Sequence, residues 1–393
     1  MSYRLTRYLY ARDEVEASLL SALLTRADIH ECYFWAYELH YSGFELFAVL
    51  WRIFYDVYFE YNPCLEIYIR KKHLLWEREK KSEVFAFVIK NMFLATPSSN
   101  VFVLRQYALS VGADGHGADG HGADGYRGRP PKWCEQHDKK YQTWLRAISK
   151  KDYQKIAYHT YTLASDDDEN VEETKESDAM FGELVTYFAS MFNINADVSS
   201  YWNSRTYRGN DAHYILSIII HLLVDEDESA IKMSDKKPLR PRDEHIQWVK
   251  DLECNNTHGC LPRNVLKQHR LYGINPNIGS FALARYTLAE TEFQSVNCFW
   301  ERYAFNTPIW LHRFEKFKAA TNAGQSESGT ISFESDDDLE AFYDLYGLEP
   351  DEQTREVQNL STGIIALSPW IAWFNTVFSE TSAINFDERF QFI

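Results

Sequence analysis

The stretch Asp13–Tyr107 leaves little choice of fold. It reads as three blocks crowded with aromatics: DEVEASLLSALLTR, DIHECYFWAYELHYSG and FELFAVLWRIFYDVYF. Each has apolar residues three to four apart before a polar or glycine break, the period of helices that bury one face. Consecutive helices of this kind bury those faces against one another in pairs. The expected class is all-α: a helix-pair array at the N-terminus, an irregular helical region after it, and no sheet beyond a hairpin or two.

Local chemistry places the boundaries. Asp28 is a good N-cap, because its carboxylate can accept the unpaired N–H groups of a first turn. Gly43 is placed to end that helix in a left-handed conformation. Pro63 suits the first turn of a further helix with Asn62 as its cap. Glu77–Lys81 is charged and solvated, and Glu83–Leu94 resumes helical spacing. Within Phe44–Phe59, Glu45, Arg52 and Asp56 mark a soluble face. Trp35, Trp51 and Phe54 are then expected to share a continuous core, with Arg52 and Asp56 pointing outward.

Three regions follow from this reading: an aromatic helix-pair domain over 1–110, a flexible loop over 111–132, and a helical domain with acidic and charged loops over 133–393. The loop carries GADGH-GADGH-GADGY at 112–126, and glycine at that density does not hold a helix or strand. Its Asp114, His116, Asp119, His121 and Asp124 are of metal-ligating type, but ordering such a loop around an ion loses much entropy. Beyond it, Asp138–Ser149 and Lys151–Ala164 look like an antiparallel helix pair. Asp166–Glu176 is a solvated acidic loop, and Met180–Phe192 and Ala212–Val224 are helices. Ser229–Arg242, with two prolines, is a linker or exposed loop. Asp243–Leu252 is a short helix with acids in its first turn, and Thr291–Tyr303 and Ile309–Lys318 follow. Ala319–Thr330 reads as loop, GTISFES as a short strand, and Asp336 or Asp337 as the cap of a helix through Tyr346. Pro369–Phe378 ends the ordered core.

The net charge of −16 opposes non-specific binding to nucleic acid and anionic membranes. Six cysteines, Cys32, Cys64, Cys134, Cys254, Cys260 and Cys298, are widely spread. The opening MSYRLTRYLYARDEVE has no apolar signal core, so neither a disulfide framework nor a secretory route is expected. The most apolar run, YILSIIIHLLV at Tyr214–Val224, is far short of the roughly 20 residues that a spanning helix needs.

No catalytic template fits. G-x-x-x-x-G-K-[ST], G-x-G-x-x-G after a strand, G-x-S-x-G and H-E-x-x-H are all missing, and His30-Glu31-Cys32 only begins like the last. Cys254 and Cys260 enclose His258 at a spacing wider than zinc sites use, with His269 and Cys298 distant. Their bland alternative is a glycine turn with buried thiols. Arg127-Gly128-Arg129-Pro130 has the core of a minor-groove hook, but its flanks are acidic or aromatic apart from Lys132. His221 reads as a core histidine with a satisfied hydrogen bond. No catalytic, cofactor or metal residue is therefore expected, and a non-enzymatic protein is.

At YLYARDEVEASLLSALLTRADIHECYFWAYELHYSGFE (Tyr8–Glu45), YRGRPPKW (Tyr126–Trp133) and NTPIWLHRF (Asn306–Phe314), the chain resembles uncharacterised helical proteins of nucleocytoplasmic large DNA viruses, including those of algae. The resemblance implies a virion component, a minor capsid protein bracing capsomers beneath a major shell. Its partners would be the major capsid protein and other minor capsid proteins, and its place the capsid, after assembly in the host cytoplasm. The GADGH insert departs from that pattern. The major coat protein itself is not expected, because paired β-sandwiches need evenly spaced alternating strands. The competing reading is a soluble helical adaptor in viral transcription or host interaction, with the N-terminal array as a peptide groove.

Overall fold

A computed structural model describes residues 4–10, 12–26, 28–105, 108, 139–165, 211–223, 238–254, 300–321 and 331–346. The N-terminal helices are α1 (Arg12–Thr25), α2 (Ile29–Tyr41), α3 (Leu46–Ile53), α4 (Leu65–Glu79) and α5 (Glu83–Leu94). Residues 100–105 form α6. Then come α7 (Lys139–Ser149), α8 (Tyr153–Ser165), α9 (Asp211–Leu223), α10 (Asp243–Cys254), α11 (Trp300–Ala304), α12 (Pro308–Lys316) and α13 (Asp336–Tyr346). The class is all-α, as expected. The strands among the described residues are β1 (Ala320–Thr321) and β2 (Ile331–Ser332), an antiparallel pair two residues long. No helix among these residues is long and apolar enough to cross a membrane.

The GADGH loop, Arg127–Trp133, Asp166–Glu176, Met180–Phe192, His258, Cys260, His269, Cys298 and Pro369–Phe378 lie outside the described residues. So does most of Ser229–Arg242.

Several boundaries were legible. Asp28 has extended backbone, and its carboxylate accepts the His30 N–H at 2.9 Å. Gly43 has φ +78° just after α2. A Cβ there would sit 3.0 Å from Pro308 Cδ. Gly43→Ala should therefore destabilise by about 1–2 kcal/mol from the left-handed backbone alone, with the proline contact adding to it. A urea titration showing no loss would mean that the turn relaxes.

Three boundaries differ. The α4 helix begins at Leu65, and Asn62 does not cap it: its Nδ2 donates to Tyr58 O at 2.9 Å and Thr96 O at 2.8 Å. The side chain clamps the carbonyl of Tyr58 to that of Thr96 and acts there as a donor. Helix α13 is capped by Ser335, not by Asp336 or Asp337. The Ser335 Oγ accepts from Asp338 N at 3.2 Å and donates to Asp338 Oδ2 at 2.7 Å, a reciprocal arrangement like a capping box. Ala320 and Thr321, expected in a loop, pair with the GTISFES strand, which supplies their ladder bonds.

The chain divides into two compact units. The first comprises the described parts of Met1–Val49, Lys71–Leu94 and Leu239–Val377. Here α2 packs against α1, α5 and α10. It is buried almost all round from Cys32 to Leu39, as suits a central helix. Val15, Leu19, Leu23, Trp35, Phe85, Ile89 and Val249 are fully buried in this unit. A second cluster joins Leu5 and Leu9 to Trp300, Trp310, Phe314 and Phe342.

The second unit comprises the described parts of Leu50–Arg70, Ala95–Pro238 and Phe378–Ile393. Helix α8 packs on α7 and on α9, confirming the expected pair at 139–165. Trp144 Nε1 donates to Thr160 Oγ1 at 2.9 Å, which satisfies the indole inside that contact. Trp35, Trp51 and Phe54 are all buried, as expected, with Trp35 in the first unit and Trp51 and Phe54 in the second.

Candidate functional site

The most concentrated polar chemistry among the described residues lies in the second unit, around a backbone irregularity. Directly after α3, residues Phe54–Tyr58 form a π-helix, closed by the Phe59 N–H to Phe54 O bond of 2.9 Å. Such wide turns are rare and recur at functional sites. Asp56 sits in the middle of it. It is 3 % exposed, which corrects the expectation that it points outward. Every residue from Ile53 to Glu60 is buried, so this segment has no solvent face for an α-helical count to find.

Its carboxylate is fully engaged. Arg105 of α6 binds it through two nitrogens, Nε to Oδ1 at 2.9 Å and Nη2 to Oδ2 at 2.7 Å. His213 of α9 contacts Oδ1 through Nε2. Burial alone would raise the Asp56 pKa, but the Arg105 guanidinium and His213 hold it down at about 2. Burial lowers the His213 pKa, outweighing the pull of Asp56. Burial also works against the Arg105 charge, and Asp56 more than restores it. The node is therefore carboxylate, guanidinium and neutral imidazole, with Nε2–H donating. A carboxylate held this low is a poor base near neutrality. It is well suited to joining three chain segments.

A second network lies beside it in sequence. Glu60 accepts from Ser98 Oγ at 2.5 Å and from Asn100 Nδ2 at 2.9 Å. The Glu60 backbone oxygen accepts from His221 Nδ1 at 2.7 Å. His221 is the satisfied core histidine that was expected, its pKa lowered by burial despite that bond. Glu66, 1 % exposed, accepts from the Tyr55 hydroxyl at 3.3 Å. Burial raises its pKa to about 7, against the opposing effects of Arg70 and Tyr55.

The first unit has its own buried ion pair. Arg7 Nε donates to Glu38 Oε2 at 2.7 Å, and Arg7 Nη1 donates to Leu252 O at 3.1 Å. The Tyr8 N–H donates to Glu38 Oε1 at 3.0 Å, and Trp310 Nε1 donates to Arg7 O at 3.1 Å. One residue near the N-terminus thus ties α2, α10 and α12 together. Glu301 of α11 accepts from the Tyr343 hydroxyl of α13. Burial raises the Glu301 pKa to about 7, against the effect of that bond.

Glu66 and Glu301 make a pH prediction. Each folded pKa lies above the ordinary 4.5, so the fold favours the protonated acid. Their stabilising effect is complete below about pH 4.5 and is lost as pH rises through 7. At about 1.4 kcal/mol per pKa unit, each costs roughly 3 kcal/mol at alkaline pH. Glu66→Gln and Glu301→Gln should flatten the fall in stability between pH 5 and 8, as read by urea unfolding. An unchanged slope in both variants would show that water reaches these carboxyls.

No site residue was expected from sequence, and the residues weighed there fall as follows. His30 is the second residue of α2, its ring 5.1 Å from both His245 and Trp248 of α10. Glu31 accepts from Trp35 Nε1 at 3.4 Å. Cys32 is fully buried, and burial pushes its thiol well up, so it is held protonated and unreactive. Cys254 ends α10, and its suggested partners lie outside the described residues. No group of three or more His, Cys, Asp or Glu placed to hold a metal occurs among the described residues. The residues missed by sequence reasoning are Asp56, Arg105, His213, Glu60, Glu38 and Glu301. A charged residue inside an aromatic run was the available signal for Asp56 and Glu38. No family model, curated protein or solved structure matches this chain.

Proposed function

We propose that this chain is a structural scaffold of a large DNA virus particle, a minor capsid protein that braces capsomers beneath the major shell. The observation that carries the scaffold reading is where the buried charge goes. Arg7–Glu38 and Asp56–Arg105–His213 join segments 31, 49 and 157 residues apart in the chain. Losing either partner of such a buried pair costs about 3–5 kcal/mol, so each pair holds together the segments it joins. A brace under load needs that property. The aromatic content of 16 % supplies contact area for cores and partner surfaces alike. The capsid placement comes from the resemblance at Tyr8–Glu45, Tyr126–Trp133 and Asn306–Phe314, and the major capsid protein and its minor companions are the partners this reading implies.

The test is fractionation of disrupted virions, with quantitative mass spectrometry of each fraction. A capsid brace is recovered in many copies with the shell after genome and internal membrane are removed. Recovery only with the genome or in soluble host extract rejects the brace and favours the adaptor.

A further inference from the structure

Helix α4 presents an outer stripe that its own packing does not use. Leu74 is 51 % exposed, among the most exposed large apolar side chains described. Lys71 and Arg78 are exposed three residues before it and four after it. At 3.6 residues per turn these three share one face. The same helix exposes Ile67 a further turn back, at 38 %. The stripe is apolar in the middle and basic at either side, on a chain of net charge −16. Its basic groups are lightly committed. Lys71 has no ion-pair partner among the described residues, and Arg78 pairs only with its exposed neighbour Glu79 at 2.9 Å. Such a surface pair contributes little.

The counterpart is on α13. Phe342 and Tyr346 are buried, and the opposite side exposes Asp337, Glu340, Ala341 and Asp344. None of these three acids has an ion-pair partner among the described residues; the pair to Lys318 is made by Asp338. Asp337 and Asp344 are seven residues apart, as are Lys71 and Arg78. Ala341, small and exposed between the acids, leaves room for Leu74.

We propose that α4 of one copy docks against α13 of a second copy. In an antiparallel pairing Lys71 meets Asp344, Arg78 meets Asp337, and Leu74 packs over Ala341. The two faces are different surfaces of the same chain, so a two-fold pair makes the contact twice, whereas a head-to-tail contact leaves one face of each kind open to a further copy. A two-helix contact buries less than the area of a stable standard interface. The association is therefore weak in dilute solution and takes effect where copies are concentrated. Its charge pairs are exposed, so salt screens them, with a Debye length of about 10 Å at 0.1 M. The inference does not depend on the capsid reading, since it concerns the isolated protein.

Sedimentation velocity of the full chain over a concentration series tests it. The expected result is a sedimentation coefficient that rises with concentration at low salt and much less at 1 M salt. The Lys71→Glu/Arg78→Glu and Asp337→Lys/Asp344→Lys double variants should each stay monomeric. Mixed in equal amounts, they should associate again, because each then offers the charge the other lacks. All four positions are exposed, and circular dichroism confirms that each variant is folded. A wild-type chain that stays monomeric throughout overturns the proposal, as does association that survives both reversals or a mixture that stays monomeric.

Discussion

Asp56→Ala should destabilise the second unit by about 3–5 kcal/mol, the cost of breaking a buried pair by removing one partner. The substitution leaves the Arg105 guanidinium 5 % exposed with its two-point acceptor gone, and it strips His213 of the oxygen its Nε2 contacts. A typical domain is stable by only about 5–15 kcal/mol, so much of this unit's margin would be lost. A urea titration followed by circular dichroism reads the loss, and Trp51 and Trp144, which lie in the same unit, contribute to the fluorescence change. Replacing Asp56 and Arg105 together by apolar residues of similar volume should recover much of the loss, because the pair's desolvation goes with it. The wild type carries a matching acid signature. The folded Asp56 pKa of about 2 lies below the ordinary 3.8, so its contribution is present above about pH 4 and lost as pH falls through 2. A loss under about 1 kcal/mol in Asp56→Ala would mean that Arg105 finds another acceptor, and the node would not be the lock described.

The helical framework was readable because its signals are local. Asp28, Gly43 and the Glu83–Leu94 spacing act within one or two turns, and each is found where the chemistry of capping and glycine backbone places it. His221 was readable for a related reason: an imidazole in an apolar helix must find an acceptor, and it does. The polar networks were not readable. Counting Asp56 at 100° per residue assumes a solvent face, and the segment around the π-turn has none, since Ile53–Glu60 is buried throughout. Nothing in FYDVY announces such a turn. Its partners Arg105 and His213 lie 49 and 157 residues away, separations at which one sequence holds no pairing information. Glu38 shows the same limit. It sits among AYELH as a polar break, and its buried role depends on Arg7 reaching it from outside the helix. The caps of α4 and α13 failed for a smaller reason. An Asn can donate instead of accept, and Ser335 competed with two acids for the same position.

Trp51→Ala is the sharper test of how the aromatic density is used. Trp51 is 1 % exposed, stacked on Tyr55 with centroids 5.6 Å apart and set edge-on to Phe54 at 5.9 Å. It is the last aromatic side chain before the π-turn, three residues ahead of it, and packs on the segment that carries Asp56. Removing a buried indole costs about 3–5 kcal/mol, through lost transfer energy and the cavity left behind. Aromatic pair geometry adds a smaller share. The effect should be shared with Asp56→Ala rather than added to it, because residues five apart in one packed segment couple. The Asp56→Ala/Trp51→Ala double variant should therefore lose less than the sum of the two single losses. Trp51→Phe should recover part of the loss, since most of the ring contact is kept. Urea unfolding of the three single variants and the double decides the matter. If Trp51→Ala keeps wild-type stability yet loses a partner, the side chain is an interface anchor, and the aromatic run at 44–59 serves that partner instead of this core.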